Sequence, residues 1–149
     1  MKRNRRDIII KKCANLTIPM VLMLGLYVII HGHLSPGGGF QGGVIIASII
    51  PIYYIAYGRD KLISLFRTDR LSKTEEFFSL TFVFIASLGI IYGVPFFTNV
   101  LDKGIVGGVF SSGTIFFMDF AVGYKVVAGI SLLLLVMISI LKGDDSDVN

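Results

Sequence analysis

The sequence predicts an all-α integral membrane protein with four transmembrane helices and both termini in the cytoplasm. Two properties of the composition indicate a membrane protein: 54% of the 149 residues are hydrophobic and only 16% are charged, whereas soluble domains carry about 25% charged residues. The third observation is that the hydrophobic residues are concentrated in four long runs. We therefore expect a single membrane domain comprising residues 1–149.

The four hydrophobic runs define the expected helices, since crossing roughly 30 Å of hydrocarbon requires about 20 helical residues. The predicted spans cover residues 13–30, 40–57, 77–97 and 115–141. The second span contains Pro51, which lacks a backbone N–H and should kink the helix. The fourth span is long enough that a tilt or an overhang is expected.

The positions of lysine and arginine predict the orientation. Six precede the first span, five lie between the second and third, and Lys142 follows the fourth; Lys103 lies on the opposite side and Lys125 inside the fourth span. Because basic residues accumulate on the cytoplasmic side, both termini are predicted there. These residues flank the spans and form no basic patch interleaved with aromatic residues, so nucleic acid is not an expected partner.

The basic connector between the second and third spans allows two interpretations. Its alternation of basic and apolar residues over 59–73 is compatible with a short interfacial helix, and equally with a solvated loop. Ser72 and Glu75 have the spacing of a capping box, which predicts that the third helix begins near Lys73.

The segment from His31 to Gly43 precedes the second span and holds both histidines and six of the 17 glycines. No Lys or Arg lies between residues 31 and 57, which argues against a phosphate-binding loop. His31 and His33 point in different directions, and no Asp, Glu or Cys lies within ten positions, so no metal site is expected. A structural or interfacial role for the histidines remains open beside proton handling. The glycines allow another helix to approach closely, or the backbone to line a polar cavity.

Two charged residues, Asp119 and Lys125, lie inside the fourth predicted span. A charge at the bilayer centre costs about 2.5–3.5 kcal/mol, and six residues of separation is poor spacing for an ion pair within one helix. The spans hold no other charge apart from those of residues 73–76. We therefore expect any partner of these two residues to come from another protein chain. Nothing in the sequence resembles a catalytic constellation, so the chain is predicted to be non-catalytic and without cofactors.

Two stretches resemble a known family. The stretch GHLSPGGGFQGG is similar to the signature GH-x-x-PGGGF-x-GG of the B subunit of Mrp-type multisubunit Na⁺/H⁺ antiporters, and MDFAVGYKVVAG is similar to the pattern of its last helix. The matching positions are Gly32, His33, Pro36, Gly37, Gly38, Gly39, Phe40, Gly42, Gly43, Asp119 and Gly123. Gln41 and Lys125 depart from the usual antiporter pattern.

The resemblance implies an accessory subunit in the plasma membrane of a prokaryote. Its expected partners are lipid and other integral membrane subunits, including ion-translocating subunits related to those of respiratory complex I. Two alternatives stay open: the same subunit within a ferredoxin-driven membrane-bound hydrogenase or a related complex, and a purely structural scaffold subunit. In the main hypothesis, an ion path or polar contacts between subunits involve His31, His33, Asp119 and Lys125. The motif glycines allow the helices to pack closely.

Overall fold

The computed structural model describes residues 2–34, 38–102, 104 and 111–141. The elements are α1 (Lys2–Ile30), a 3₁₀ turn (Gly32–Leu34), α2 (Gly38–Ala47), α3 (Ile49–Tyr57), α4 (Arg59–Leu65), α5 (Thr68–Ile91) and α6 (Thr114–Leu141). Four stretches within them are long and apolar enough to cross a membrane: Asp7–Ile30, Gly38–Tyr57, Thr68–Ile91 and Thr114–Ile140. The prediction of four membrane-compatible helices is confirmed.

Helix α6 is the centre of the fold. It packs against α5 on one side and α2 on another, while α1 packs against α2 and α3. Several of the buried residues along these contacts are alanines: Ala47, Ala86, Ala121 and Ala128. Large apolar side chains such as Met23, Leu80 and Ile140 are exposed. Small residues between helices and large apolar residues outside are the distribution that lipid-embedded helices favour.

The second span is interrupted at Ser48, between α2 and α3. The backbone N–H of Ser48 donates to the carbonyls of Val44 (3.0 Å) and Ile45 (3.2 Å), and its hydroxyl donates to the Ile45 carbonyl (2.6 Å). Pro51 has no N–H to offer the carbonyl of Ala47, which is the last residue of α2. The interruption therefore lies one turn before the proline, where its missing donor is expected to act.

The third helix differs from the prediction, which placed it over residues 77–97 with a start near Lys73. Helix α5 runs from Thr68 to Ile91. Ser72 lies inside its first turns, where its hydroxyl donates to Glu76 Oε1 (3.2 Å) and does not cap the helix. Ser72 and Glu75 thus have the spacing of a capping box, but they do not cap the helix.

The residues after α5 turn back along it. Gly93 has a φ of 73°, the backbone N–H of Val94 donates to the Gly89 carbonyl (2.9 Å), and that of Phe97 donates to the Ala86 carbonyl (3.2 Å). Pro95 disfavours a helical conformation for the residue before it, so the helix ends early despite the apolar sequence. The predicted end at residue 97 is therefore wrong.

The basic connector contains the short helix α4 over Arg59–Leu65, so this part is helical and not a loop. Its position at a membrane interface stays a prediction. Leu62 of α4 is fully buried and packs with Ile50 and Leu135. Arg59 Nη2 donates to the carbonyl (3.4 Å) and hydroxyl (3.2 Å) of Ser139 near the end of α6. Helix α4 therefore ties the connector to the C-terminal end of α6.

The opposite end of α6 is capped by Asn99, from the segment that follows α5. Asn99 Oδ1 accepts from the backbone N–H (2.9 Å) and the hydroxyl (2.7 Å) of Thr114, and its Nδ2 donates to the Ser112 carbonyl (2.9 Å). These bonds satisfy donors that the first turn of a helix leaves free. The fourth helix begins within one residue of its predicted start.

Candidate functional site

The candidate site lies where the first turn of α2 meets α6, and its centre is Asp119. Asp119 Oδ1 accepts a hydrogen bond of 2.6 Å from the backbone N–H of Gly39. Gly39 is the second residue of α2, so this N–H is one of the donors that have no partner within their own helix. A carboxylate at a helix N-terminus also interacts favourably with the helix dipole. Asp119 therefore caps α2 from a different helix.

Three glycines give the carboxylate and its helix the space they occupy. A Cβ on Gly39 would lie 2.1 Å from the Asp119 carbonyl oxygen, and one on Gly32 would lie 2.0 Å from Asp119 Oδ2. A Cβ on Gly43, one turn further along α2, would lie 2.8 Å from the Gly123 carbonyl. Any side chain at these positions would push α2 or the 3₁₀ turn away from α6.

Helix α1 joins the same cluster through Ile29, which is 2% exposed. A Cβ on Gly42 would lie 2.6 Å from Ile29 Cγ1, and one on Gly123 would lie 3.0 Å from the same side chain. Gly42 of α2 and Gly123 of α6 thus leave the space that the Ile29 side chain of α1 occupies. The three helices pack as one unit around the capped start of α2.

The geometry of Asp119 corrects the prediction that its partner comes from another chain. Its partner is a backbone N–H of this chain, on a helix 80 residues earlier in sequence. Counting charges could not reveal it, because the donor is a peptide group and carries no charge. Asp119 Oδ2 is buried and has no hydrogen-bond partner among the described residues.

The two histidines have different surroundings. His31 Nδ1 lies 3.0 Å from the Tyr27 carbonyl oxygen, and its ring stacks on Tyr27 with centroids 4.3 Å apart. His33 packs edge to face against Phe116, at 5.2 Å between centroids. Both ring nitrogens of His33 are buried without a hydrogen bond within the described part of the chain. Phe116 precedes Asp119 by one turn, so His33 reaches the Asp119 end of α6 while His31 packs against Tyr27 of α1.

Lys125 does not join this cluster. It is exposed on the surface of the subunit, and no ion pair links it to any other described residue. It lies about 9 Å along α6 from Asp119 at 1.5 Å per residue. The structure therefore brings His33, Asp119 and the motif glycines to one end of the fold and leaves Lys125 facing outward.

The remaining predicted motif residues are placed as follows. Phe40 is 58% exposed and points away from the α2–α6 contact. Gly38 has a φ of 56°, and a Cβ there would lie 3.0 Å from Asp119 Oδ1. Pro36 and Gly37 lie outside the described residues, as do Lys103 and Lys142. Within the described ranges, no group of three or more His, Cys, Asp and Glu side chains has the arrangement of a metal site.

Sequence reasoning missed Glu75, which lies inside α5 and faces α6. A Cβ on Gly129 would lie 3.7 Å from Glu75 Cγ and Cδ and 3.9 Å from its Oε1. One turn further along, Phe78 stacks on Tyr124 of α6 at 4.9 Å between centroids. The available signal was helical spacing, since Glu75 is in register with Phe78 and with the buried Ala86. Interpreting Glu75 as part of a capping box placed it in the first turn of the helix, before the predicted span 77–97.

Comparison with known proteins places the chain in a family. Residues 9–132 match the domain described as related to the MnhB subunit of Na⁺/H⁺ antiporter. The chain is 27% identical over 146 residues to the B subunit of a Na⁺/H⁺ antiporter of Bacillus subtilis, with 88% of this chain and 92% of that protein covered. It is also 32% identical over 96 residues to a Staphylococcus epidermidis protein named as antiporter subunit mnhB2, covering 64% of this chain and 66% of that protein.

A third relative is longer than this chain. An uncharacterized protein of Methanocaldococcus jannaschii is 34% identical over 125 residues, which is 78% of this chain and 47% of that protein. The chain thus spans about half to two thirds of the length of the M. jannaschii and S. epidermidis relatives. The family match covers α2, α5 and the part of α6 that carries Asp119, Lys125 and Gly129. The chain belongs to the family of membrane proteins related to the MnhB subunit of Na⁺/H⁺ antiporters.

Proposed function

We propose that this chain is an accessory membrane subunit of a multisubunit Na⁺/H⁺ antiporter in the plasma membrane. The observation that carries the proposal is the family match over residues 9–132, joined to four helices long enough to cross a membrane. Partners in this proposal are the other membrane subunits of the complex, including ion-translocating subunits of the complex I type. The chain itself supplies helices and polar contacts and performs no covalent chemistry.

Within that complex, the Asp119 cluster fixes the fold of the subunit near the outer surface. This placement rests on the prediction from the basic residues that both termini lie in the cytoplasm. Support comes from the position of Arg59, which contacts the C-terminal end of α6, opposite Asp119. The hydrogen bond from Gly39 N–H to Asp119 favours a structural role for that oxygen. Oδ2 and the His33 ring nitrogens are buried without a hydrogen bond among the described residues, so they are the polar groups that an ion path through the subunit would use.

Lys125 is the contact to another subunit. It is exposed, carries its charge within the span Thr114–Ile140, and has no ion pair among the described residues. A charge in a transmembrane helix is costly unless it is paired or reaches the interface. A neighbouring subunit that offers a carboxylate or carbonyl oxygens would lower that cost, and this is the role we assign to Lys125.

The test is to express the complex with Lys125→Met, which keeps the length of the side chain and removes its charge. We expect at least a severalfold loss of the chain from the purified complex and an equal loss of Na⁺-dependent proton movement in inverted vesicles. Lys12→Met is the matched control, because Lys12 is also exposed but lies on the basic side. Wild-type assembly and transport in Lys125→Met would refute the contact, and a wild-type complex without Na⁺-dependent proton movement would refute the antiporter.

The hydrogenase-type alternative stays a prediction. None of the three relatives described above is named as a hydrogenase subunit, and no observation on the described residues favours redox chemistry. Purifying the chain with its native partners decides this alternative, because iron–sulfur proteins would accompany the subunit in a redox-driven complex and would be missing from an antiporter.

A further inference from the structure

Glu75 lies inside the membrane-compatible stretch of α5, Thr68–Ile91, opposite the middle of α6. It packs against Gly129 of α6, and Gly129 is ten residues from both Asp119 and Ser139. At 1.5 Å per residue, Glu75 is about 15 Å from the level of each. Asp119 lies at the capped start of α2, and Ser139 accepts a hydrogen bond from Arg59 of the basic connector. Along α6, Glu75 is therefore level with the midpoint between these two contacts, while on its own helix it is the eighth of 24 residues.

The Glu75 carboxylate has no partner among the residues that the structure describes. No hydrogen bond or ion pair joins it to any described residue, and the side chain is half-buried. Its own carbonyl is satisfied, because Ser79 Oγ donates to it (2.8 Å). The carboxylate oxygens are therefore free to accept a ligand, and they border the contact between α5 and α6.

The charged and titratable groups around Glu75 come from α5 and α6, since α5 packs chiefly against α6. On α5, Lys73 and Glu76 are exposed, and Glu76 accepts from Ser72. On α6, Tyr124 is stacked on Phe78, and Lys125 is exposed one turn from Gly129.

Lys125 is directed away from Glu75. Side chains on a helix lean towards its N-terminus, and the pairing of Glu75 with Gly129 and of Phe78 with Tyr124 shows that α5 and α6 run in opposite directions. Lys125 therefore leans towards the Asp119 end, and Glu75 leans towards the Ser139 end. No ion pair joins the two side chains.

We propose that Glu75 binds a monovalent cation, either a proton or Na⁺, on the α5–α6 face. An ionised carboxylate inside a membrane span is costly unless it is paired, and no described residue forms an ion pair with Glu75. A bound proton or Na⁺ removes the uncompensated charge, and both use the same carboxylate oxygens. This inference rests on the proposed antiporter function, because the complex must deliver the cation to the α5–α6 face.

The first experiment measures the protonated carboxyl directly in membranes that contain the intact complex. Dicyclohexylcarbodiimide reacts with protonated carboxyl groups that are shielded from water, and mass spectrometry locates the adduct. We expect Glu75 to be labelled at least tenfold faster than the adjacent Glu76. If added Na⁺ slows the labelling severalfold, Na⁺ binds at Glu75; if it does not, the ligand is the proton. Equal labelling of Glu75 and Glu76 would overturn the proposal.

The second experiment measures transport by three variants in inverted vesicles. We expect Glu75→Gln to reduce Na⁺-dependent proton movement at least tenfold in an assembled complex, and Glu75→Asp to retain part of it with an altered Na⁺ dependence. Glu76→Gln, one residue away and exposed, should match the wild type. An assembled Glu75→Gln complex with wild-type transport would refute the role of Glu75. If the Glu75→Gln complex does not assemble, the carbodiimide labelling of the wild-type complex tests the proposal instead.

The two proposals fail in different ways. A wild-type complex that shows no Na⁺-dependent proton movement contradicts the antiporter function, whatever the labelling shows. A wild-type complex that transports normally while Glu75 resists labelling contradicts only the inference about Glu75.

Discussion

The two sides of α6 use opposite ways of holding a neighbouring helix. Towards α2 the contact is made by glycines, and the one carboxylate there, that of Asp119, is bonded to the Gly39 N–H. Towards α5 the contact is made by aromatic rings such as Phe78 and Tyr124, and the carboxylate there, that of Glu75, has no described partner. The difference indicates that the α2 side fixes the fold, while the α5 side keeps a polar group available.

The largest effect is expected from Gly39→Ala on the α2 side. The new Cβ would lie 2.1 Å from the Asp119 carbonyl oxygen, a backbone atom that cannot move without shifting α6. We expect a destabilisation of about 3 kcal/mol, at the upper end for overpacking. Thermal unfolding of the purified complex and the amount of chain in membranes measure it.

Gly129→Ala is the matched control on the α5 side. Its Cβ would meet Glu75 at 3.7 Å, an ordinary contact, and alanine favours a helix over glycine by up to about 1 kcal/mol. We expect unchanged or slightly higher stability. If Gly39→Ala and Gly129→Ala were equally harmful, the α2 side would have no special requirement for close packing.

The second effect concerns the bond that closes the α2 side. Asp119→Ala leaves the Gly39 N–H without its acceptor, and hydrogen bonds to charged groups contribute about 1.5–3 kcal/mol. Asp119→Asn keeps an acceptor oxygen and should recover most of this stability and most of the transport. The measurement is thermal unfolding paired with Na⁺-dependent proton movement. Loss of transport in a stable Asp119→Asn complex would instead place Asp119 in the ion path.

This contrast also explains which features could be predicted from the sequence. Four helices followed from the long apolar runs, and the α6 boundaries followed because apolar sequence and helix coincide there. The bond between Gly39 and Asp119 could not be predicted, because a peptide N–H leaves no signal in the residue types. The start of α5 was misplaced because Ser72 and Glu75 have capping spacing, while the helix continues through polar residues to Thr68.

The smallest effect is expected from Phe78→Leu on the α5 side. The substitution removes the ring that stacks on Tyr124 at 4.9 Å but keeps an apolar side chain, so we expect a loss of about 1 kcal/mol, the usual contribution of an aromatic pair. Phe84→Leu is the control, because Phe84 is 61% exposed and should tolerate the change. Because Phe78 lies one turn from Glu75, Phe78→Leu should also change the rate of carbodiimide labelling at Glu75, whereas Phe84→Leu should not. A change in labelling without a change in stability would show that the aromatic pair positions the carboxylate more than it holds the helices together.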